Sequence, residues 1–196
     1  MYKLILALSV FLLSTVTSAQ DSALIERLQQ GGLNIFIRHG ITPGTDYNKY
    51  NPPGERPNDC TSGSRQLNDE GRAQSKVIGA KIKELNIPIG EVYSSKFCRC
   101  EETANLAFGR YTSVDWLVVR PGMFQSQLDK ELKSIPSTGW INKTPTGKNN
   151  VFVGHHVTFT SGVLSNDFPI VRLDEGEAVV IEPGSPPRIL GKIKFY

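Results

Sequence analysis

Hydrophobic positions along this chain fall into two patterns that take turns. Short, mostly apolar runs read as buried strands: "LNIFIR" from Leu33 to Arg38, "EVYSS" with a strand over Val92 to Ser94, "SVDWLVV", and "NNVFVGHH". Between them, apolar residues recur three and four apart. "DSALIERLQQGG" predicts a short helix stopped at Gly31-Gly32. "NDEGRAQSKVIGAKIKELN" predicts a long one, with Ala73, Val77, Ile78, Ile82 and Leu85 at helical spacing, Asn68 as N-cap and Asp69 and Glu70 in the first turn. "KFCRCEETANLAFG" predicts a helix closed by Gly109, "QSQLDKELKSI" a weaker one, and "VTFTSGVL" the start of another. The chain ends in a hairpin-like pair, "EGEAVVIEPG" and "RILGKIKFY", around Pro183 and Gly184. Strand and helix in alternation predict an α/β fold with a mainly parallel sheet.

The first residues stand outside this alternation. "MYKLILALSVFLLSTVTSAQ" has one Lys, an apolar run from Leu4 to Leu13 and small residues ending in Thr17-Ser18-Ala19, the composition of a secretory signal peptide cut after Ala19. The apolar run is shorter than the roughly 20 residues of a spanning helix, and no basic stop-transfer cluster follows, so no stable membrane anchor is expected. The expected organisation is a signal peptide over 1–19 and a single domain over 20–196, secreted or periplasmic. Cutting there removes Lys3, which takes Lys+Arg from 22 to 21 against 19 acidic residues and the net charge from +3 to +2. That balance does not support nucleic acid as a partner. Oligomeric state is not legible.

Three polar clusters fall at carboxyl ends of expected strands, where α/β sheets gather their ligand sites. They are Arg38-His39-Gly40, Ser94-Ser95 leading to Arg99, and Gly154-His155-His156. The Pro- and Gly-rich stretch from Ile41 to Arg65 is a long loop placed to wall such a site. Arg-His-Gly alone is a weak motif, and each of the other residues alone fits a solvated loop or helix position; their joint placement carries the argument. Two arginines and two histidines in one crevice suit a dianionic phosphate, to which guanidinium donates in bidentate geometry. No acidic triplet stands among these groups to hold a metal, and no "GxxxxGK" cradles a nucleotide, so neither metal nor cofactor is expected. A neutral imidazole in such a pocket can attack phosphorus itself, with water discharging the phosphohistidine.

"RHGIT", "QLNDEGRAQSKVIGAKI", "VYSSKFCRCEETA" and "VFVGHH", in this order, resemble the histidine phosphatase superfamily and its phosphoglycerate mutase-like fold, over nearly all of Leu33 to Val163. The resemblance implies a three-layer α/β/α domain with His39 as nucleophile, Arg38 and Arg99 as phosphate clamps and His155 as the second histidine at the phosphoryl group. It puts Thr42 near the phosphate, and His156 at a position that varies in the family. Among exported members the chain resembles lipopolysaccharide heptose-phosphate phosphatases, which implies a phosphorylated small molecule or glycan of the envelope as substrate. The family's general acid has no obvious counterpart: Asp46, Glu55, Asp59, Asp129, Glu131 and His156 are all candidates. A non-catalytic phosphate-binding protein of the same fold is the competing reading, although binding alone does not require a nucleophile.

Cys60, Cys98 and Cys100 all lie beyond the signal segment, and export permits a disulfide. One residue between Cys98 and Cys100 makes their mutual bridge strained, so Cys60 joins one of them. Cys98, next to Arg99, is the expected partner, with Cys60 to Cys100 the alternative. No CxxC pair supports zinc.

Overall fold

The computed structural model describes residues 21–43, 57–61, 64–118, 145–155, 172–184 and 187–196. Six strands make one sheet: β1 (Asn34–Arg38), β2 (Ile89–Ser95), β3 (Thr112–Val114), β4 (Asn149–Gly154), β5 (Ala178–Glu182) and β6 (Arg188–Ile193), in the order β3-β2-β4-β1-β5-β6. β3, β2, β4 and β1 run parallel, β5 runs antiparallel to β1, and β6 turns back antiparallel to β5 as the expected hairpin. The helices are α1 (residues 21–30), α2 (Asp69–Glu84) and α3 (Cys98–Phe108). None of them is long and apolar enough to cross a membrane.

Alternation along each strand builds a core on each face of the sheet. One face sends Ile35, Ile37, Val92, Val151, Val153, Ala178 and Val180 against Leu24 and Leu28 of α1, Ile78 and Ile82 of α2, and Cys100 and Ala104 of α3. The other face holds Phe36, Phe152, Val179 and Ile181 with Leu117 and Leu173. The three described helices thus form one layer against one face of the sheet. The expected helices in "QSQLDKELKSI" and "VTFTSGVL" lie outside the described residues.

Two expectations need correction. The buried face of α2 is Gly71, Gln74, Ser75, Ile78 and Ile82, whereas Ala73 and Val77 are exposed. The helix turns small and polar residues inward because they meet backbone: a Cβ on Gly71 would lie 2.0 Å from the Ile41 carbonyl oxygen, and Gln74 Oε1 accepts from Ile41 N at 3.2 Å. The third strand is only Thr112–Val114, followed by a 3₁₀ turn over Asp115–Leu117. β3 pairs with β2 only up to Ser95, where β2 ends, and the turn then buries Leu117 in the second core. Asn68 caps α2 as expected, accepting from Gly71 N at 2.7 Å.

The register aligns the carboxyl ends of the three central strands. Arg38 stands opposite Gly154, and Ser94 opposite Val153, so Arg38, Gly154 and Ser95 form one row across β1, β4 and β2.

Candidate active site

The chain leaves that row with His39 after β1, His155 after β4, and the turn into α3 after β2. His39 N donates to the Gly154 carbonyl at 3.0 Å, which holds the first histidine against the strand that carries the second. Gly40 N donates to Thr103 Oγ1 at 2.9 Å, and Thr103 Oγ1 donates to the Arg99 carbonyl at 2.7 Å, so α3 pins the end of β1 and its own arginine together.

Both imidazoles are buried. His39 Nδ1 lies 2.8 Å from the Gly40 carbonyl oxygen. A carbonyl can only accept, so Nδ1 carries the proton and Nε2 keeps its lone pair. Burial, and then the nearby cation of Arg99, hold the His39 pKa well below its ordinary value; the Gly40 bond opposes them, and Arg38 and Arg65 lower it further. The ring is neutral at neutral pH. Burial, Arg99 and His39 lower His155 in the same way. His155 Nδ1 faces Arg99 Nη2 at 3.4 Å, a group that only donates, so His155 Nε2 bears the hydrogen directed to Ser95 Oγ at 3.0 Å. The two rings stand edge to face, 5.5 Å between centroids.

Three guanidiniums converge here rather than the expected two. Arg38 Nη1 donates to the Leu173 carbonyl at 2.8 Å, while its buried Nε makes no hydrogen bond among the described residues. Arg99 lies over the Phe97 ring at 4.7 Å. Arg65, from the segment before α2, donates through Nε and Nη2 to Thr42 Oγ1, and Thr42 Oγ1 donates to Glu175 Oε1 at 2.7 Å. Glu175 Oε1 also lies 3.1 Å from Arg65 Nη2 and 3.5 Å from Arg38 Nη2. Its distance of 4.0 Å from His39 Nδ1 is not an ion pair, because that ring is neutral and its proton points to Gly40.

The structure therefore brings Arg38, His39, Thr42, Arg99 and His155 together. His156, Asp46, Glu55, Asp129 and Glu131 lie outside the described residues. Asp59 is described, and its carboxylate accepts from Thr61 N at 3.1 Å in the turn at Cys60. Arg65 and Glu175 were not among the sequence candidates. The signal for Arg65 was its place just ahead of the α2 cap, beside the end of β1. The signal for Glu175 was the turn into β5, but only the pairing of β5 with β1 gives that turn its position.

Cys60 and Cys98 form the expected disulfide, with Cα atoms 5.5 Å apart, and Cys100 is buried with its sulfur 3.5 Å from His155 Nε2. The bridge ties the segment carrying Arg65 to the start of the helix carrying Arg99. Three potential metal ligands lie together among the described residues, Cys60, Cys98 and Glu101, and the first two are joined in this disulfide. What the arrangement offers chemically is a neutral nucleophile in a cationic anion cradle.

Residues 34–118 match the family model of the histidine phosphatase superfamily, branch 1. A search of curated protein sequences gives no significant match. Among solved structures, the chain is similar to the protein histidine phosphatase SixA complexed with tungstate, at 13% identity and TM-score 0.52, over 83% of this chain and 97% of that one. It is similar also to a mutant phosphoserine phosphatase of Entamoeba histolytica in complex with phosphoserine, at 15% identity and TM-score 0.51, over 83% and 97%. A third is TTHB049 of Thermus thermophilus, at 16% identity and TM-score 0.54, over 83% and 99%. The match from β1 through β3 and the shared architecture show that this chain has the fold of the histidine phosphatase superfamily.

Proposed function

We propose that this chain is an exported, metal-independent phosphomonoesterase that works through a phosphohistidine at His39. The observation that carries the reading is a buried, neutral His39 whose Nδ1 proton is tied to Gly40 and whose ring is surrounded by Arg38, Arg65 and Arg99. In the first step the Nε2 lone pair bonds to phosphorus. The P–O bond to the leaving group breaks, its electron pair goes with the leaving oxygen, and that oxygen takes a proton from water. In the second step the resulting hydroxide bonds to phosphorus, the P–N bond breaks and its pair returns to Nε2. The products are an alcohol and hydrogen phosphate. Throughout, the guanidiniums offset the charge on the transferring phosphoryl group, which is where most catalysis of this reaction resides.

Binding of tungstate by one structural neighbour and of phosphoserine by another supports a tetrahedral oxyanion as the recognised group. The resemblance of residues 1–19 to a secretory signal peptide supports export, and an exported enzyme of this kind would meet phosphorylated sugars of the cell envelope. The test is turnover of an aryl phosphate by the mature chain with and without EDTA, followed by alkaline-quench detection of an acid-labile, base-stable phosphoenzyme. Turnover that survives EDTA and a label on His39 are expected. Absence of turnover, or activity lost to EDTA and restored by zinc or magnesium, would overturn the proposal.

A further inference from the structure

We propose that Glu175 is a positioning residue for phosphoryl transfer: its carboxylate aims Arg65 and Arg38 and places negative charge beside the His39 ring as that ring becomes cationic. This rests on the phosphatase reading above. Four groups of the site face a single oxygen, Oε1. Thr42 Oγ1 lies at 2.7 Å, Arg65 Nη2 at 3.1 Å, Arg38 Nη2 at 3.5 Å and His39 Nδ1 at 4.0 Å.

Thr42 makes the arrangement directional. Its hydroxyl accepts from both Nε and Nη2 of Arg65, so its one proton is left to donate to Glu175. The guanidinium fork of Arg65 is thus fixed at two points, directly by the carboxylate and indirectly through the hydroxyl. Because the carboxylate lies on the Nδ1 side of His39, it does not compete for the Nε2 lone pair. When Nε2 bonds to phosphorus, the ring keeps its Nδ1 proton and gains one positive charge, in a pocket that already holds three guanidiniums. Among the described residues around that ring, Glu175 is the carboxylate that opposes this charge.

The backbone holds Glu175 firmly in place. Gly176 N lies within hydrogen-bonding distance of both the Arg38 and His39 carbonyls, at 3.1 and 3.0 Å, so the turn is bonded to the end of β1 itself. Gly176 has φ +80°, and a Cβ there would lie 2.5 Å from the Gln74 side chain, whose Nε2 donates to the Glu175 carbonyl at 2.9 Å. A turn built this tightly, with its acidic side chain inward among cations, is more than a surface ion pair.

The experiment compares wild type, E175Q and E175D as full-length mature protein, measuring kcat and KM on an aryl phosphate, the inhibition constant of tungstate, and the melting temperature. E175Q keeps an amide oxygen that can still accept from Thr42 and Arg65 and removes only the charge, so it should lose roughly tenfold or more in kcat while binding tungstate as tightly as wild type or tighter. E175D, which keeps the charge, should recover part of the lost kcat. An E175Q kcat close to wild type would overturn the proposal, as would E175D no faster than E175Q. Loss of turnover together with tungstate binding, or of the folded state, would make Glu175 merely structural and overturn it too. Absence of turnover in the wild-type chain is a separate result, which would remove the phosphatase reading and this inference with it.

Discussion

Replacing Cys60 and Cys98 together by Ala should cost this protein much of its stability and part of its catalytic efficiency. The bridge closes a loop of sequence separation 38. In the chain-entropy description, opening such a loop in the unfolded ensemble lowers stability by about 4 kcal/mol, which at a urea dependence of about 2 kcal/mol per molar moves the midpoint down by about 2 M. The folded state should survive, because the same junction is held by Asn58 N donating to the Lys96 carbonyl at 2.7 Å and by Gln66 Nε2 donating to the Cys60 and Thr61 carbonyls. What loosens is the path to Arg65, one residue before Gln66, so KM on an aryl phosphate should rise more than kcat falls. The double variant is preferable to reduction because it leaves Cys100 without a new partner for exchange. Urea unfolding followed by tryptophan fluorescence, with steady-state kinetics on the same preparations, makes the comparison. A midpoint within about 0.5 M of wild type would refute the cross-link's contribution, and unchanged KM would refute the coupling to Arg65.

His39→Ala should abolish turnover while tungstate still binds through Arg38, Arg65 and Arg99; calorimetric titration checks the second half, and turnover near wild type would exclude His39 as nucleophile. Arg65→Ala should weaken tungstate binding by roughly 10- to 100-fold, the scale of a lost charge-assisted hydrogen bond, and an unchanged inhibition constant would remove Arg65 from the cradle. Protonation also couples to stability. His39 and His155 have folded-state pKa values below their unfolded value of about 6.5, so in that window the unfolded chain binds more protons and stability falls as pH drops below about 6.5, with a limiting slope of about 2.7 kcal/mol per pH unit for the pair. Urea midpoints measured between pH 7.5 and 5 should show this decline, and a flat profile would contradict burial of both rings in neutral form.

The parts of the site that could be read in the sequence are those set by local pattern. Arg38, His39, Ser95 and His155 each come at the end of an apolar run, and a parallel α/β sheet gathers the residues at its strands' carboxyl ends along its ligand-binding edge. The one residue between Cys98 and Cys100 excluded their mutual bond and left Cys60 to join either; Cys98 was expected for its place beside Arg99, and the structure has that pair. Arg65 and Glu175 were not picked out for the opposite reason. Arg65 precedes α2 in a loop, and its direction is set by Thr42 and Glu175, 23 and 110 residues away. Glu175 reaches the site only because β5 pairs antiparallel with β1, which sets the start of β5 beside the end of β1. Hydrophobic periodicity says nothing about which strands will be neighbours. The misread face of α2 has a related cause: Gly71, Gln74 and Ser75 are buried by contacts with the backbone around the site, and a pattern of apolar side chains cannot register them.

The turn at Gly176 hands the molecule a test of its own completeness. Arg38 meets Leu173 across 135 residues and Arg65 meets Glu175 across 110, so the anion cradle closes only when the last third of the chain has docked on the first. A nascent or partly folded chain has His39 and Thr42 but lacks Leu173, which holds Arg38, and Glu175, which joins Thr42 in holding Arg65. Phosphate-ester turnover would then appear late in folding, after the final hairpin joins the sheet, and recovery of activity during refolding becomes a direct clock for that last strand pairing.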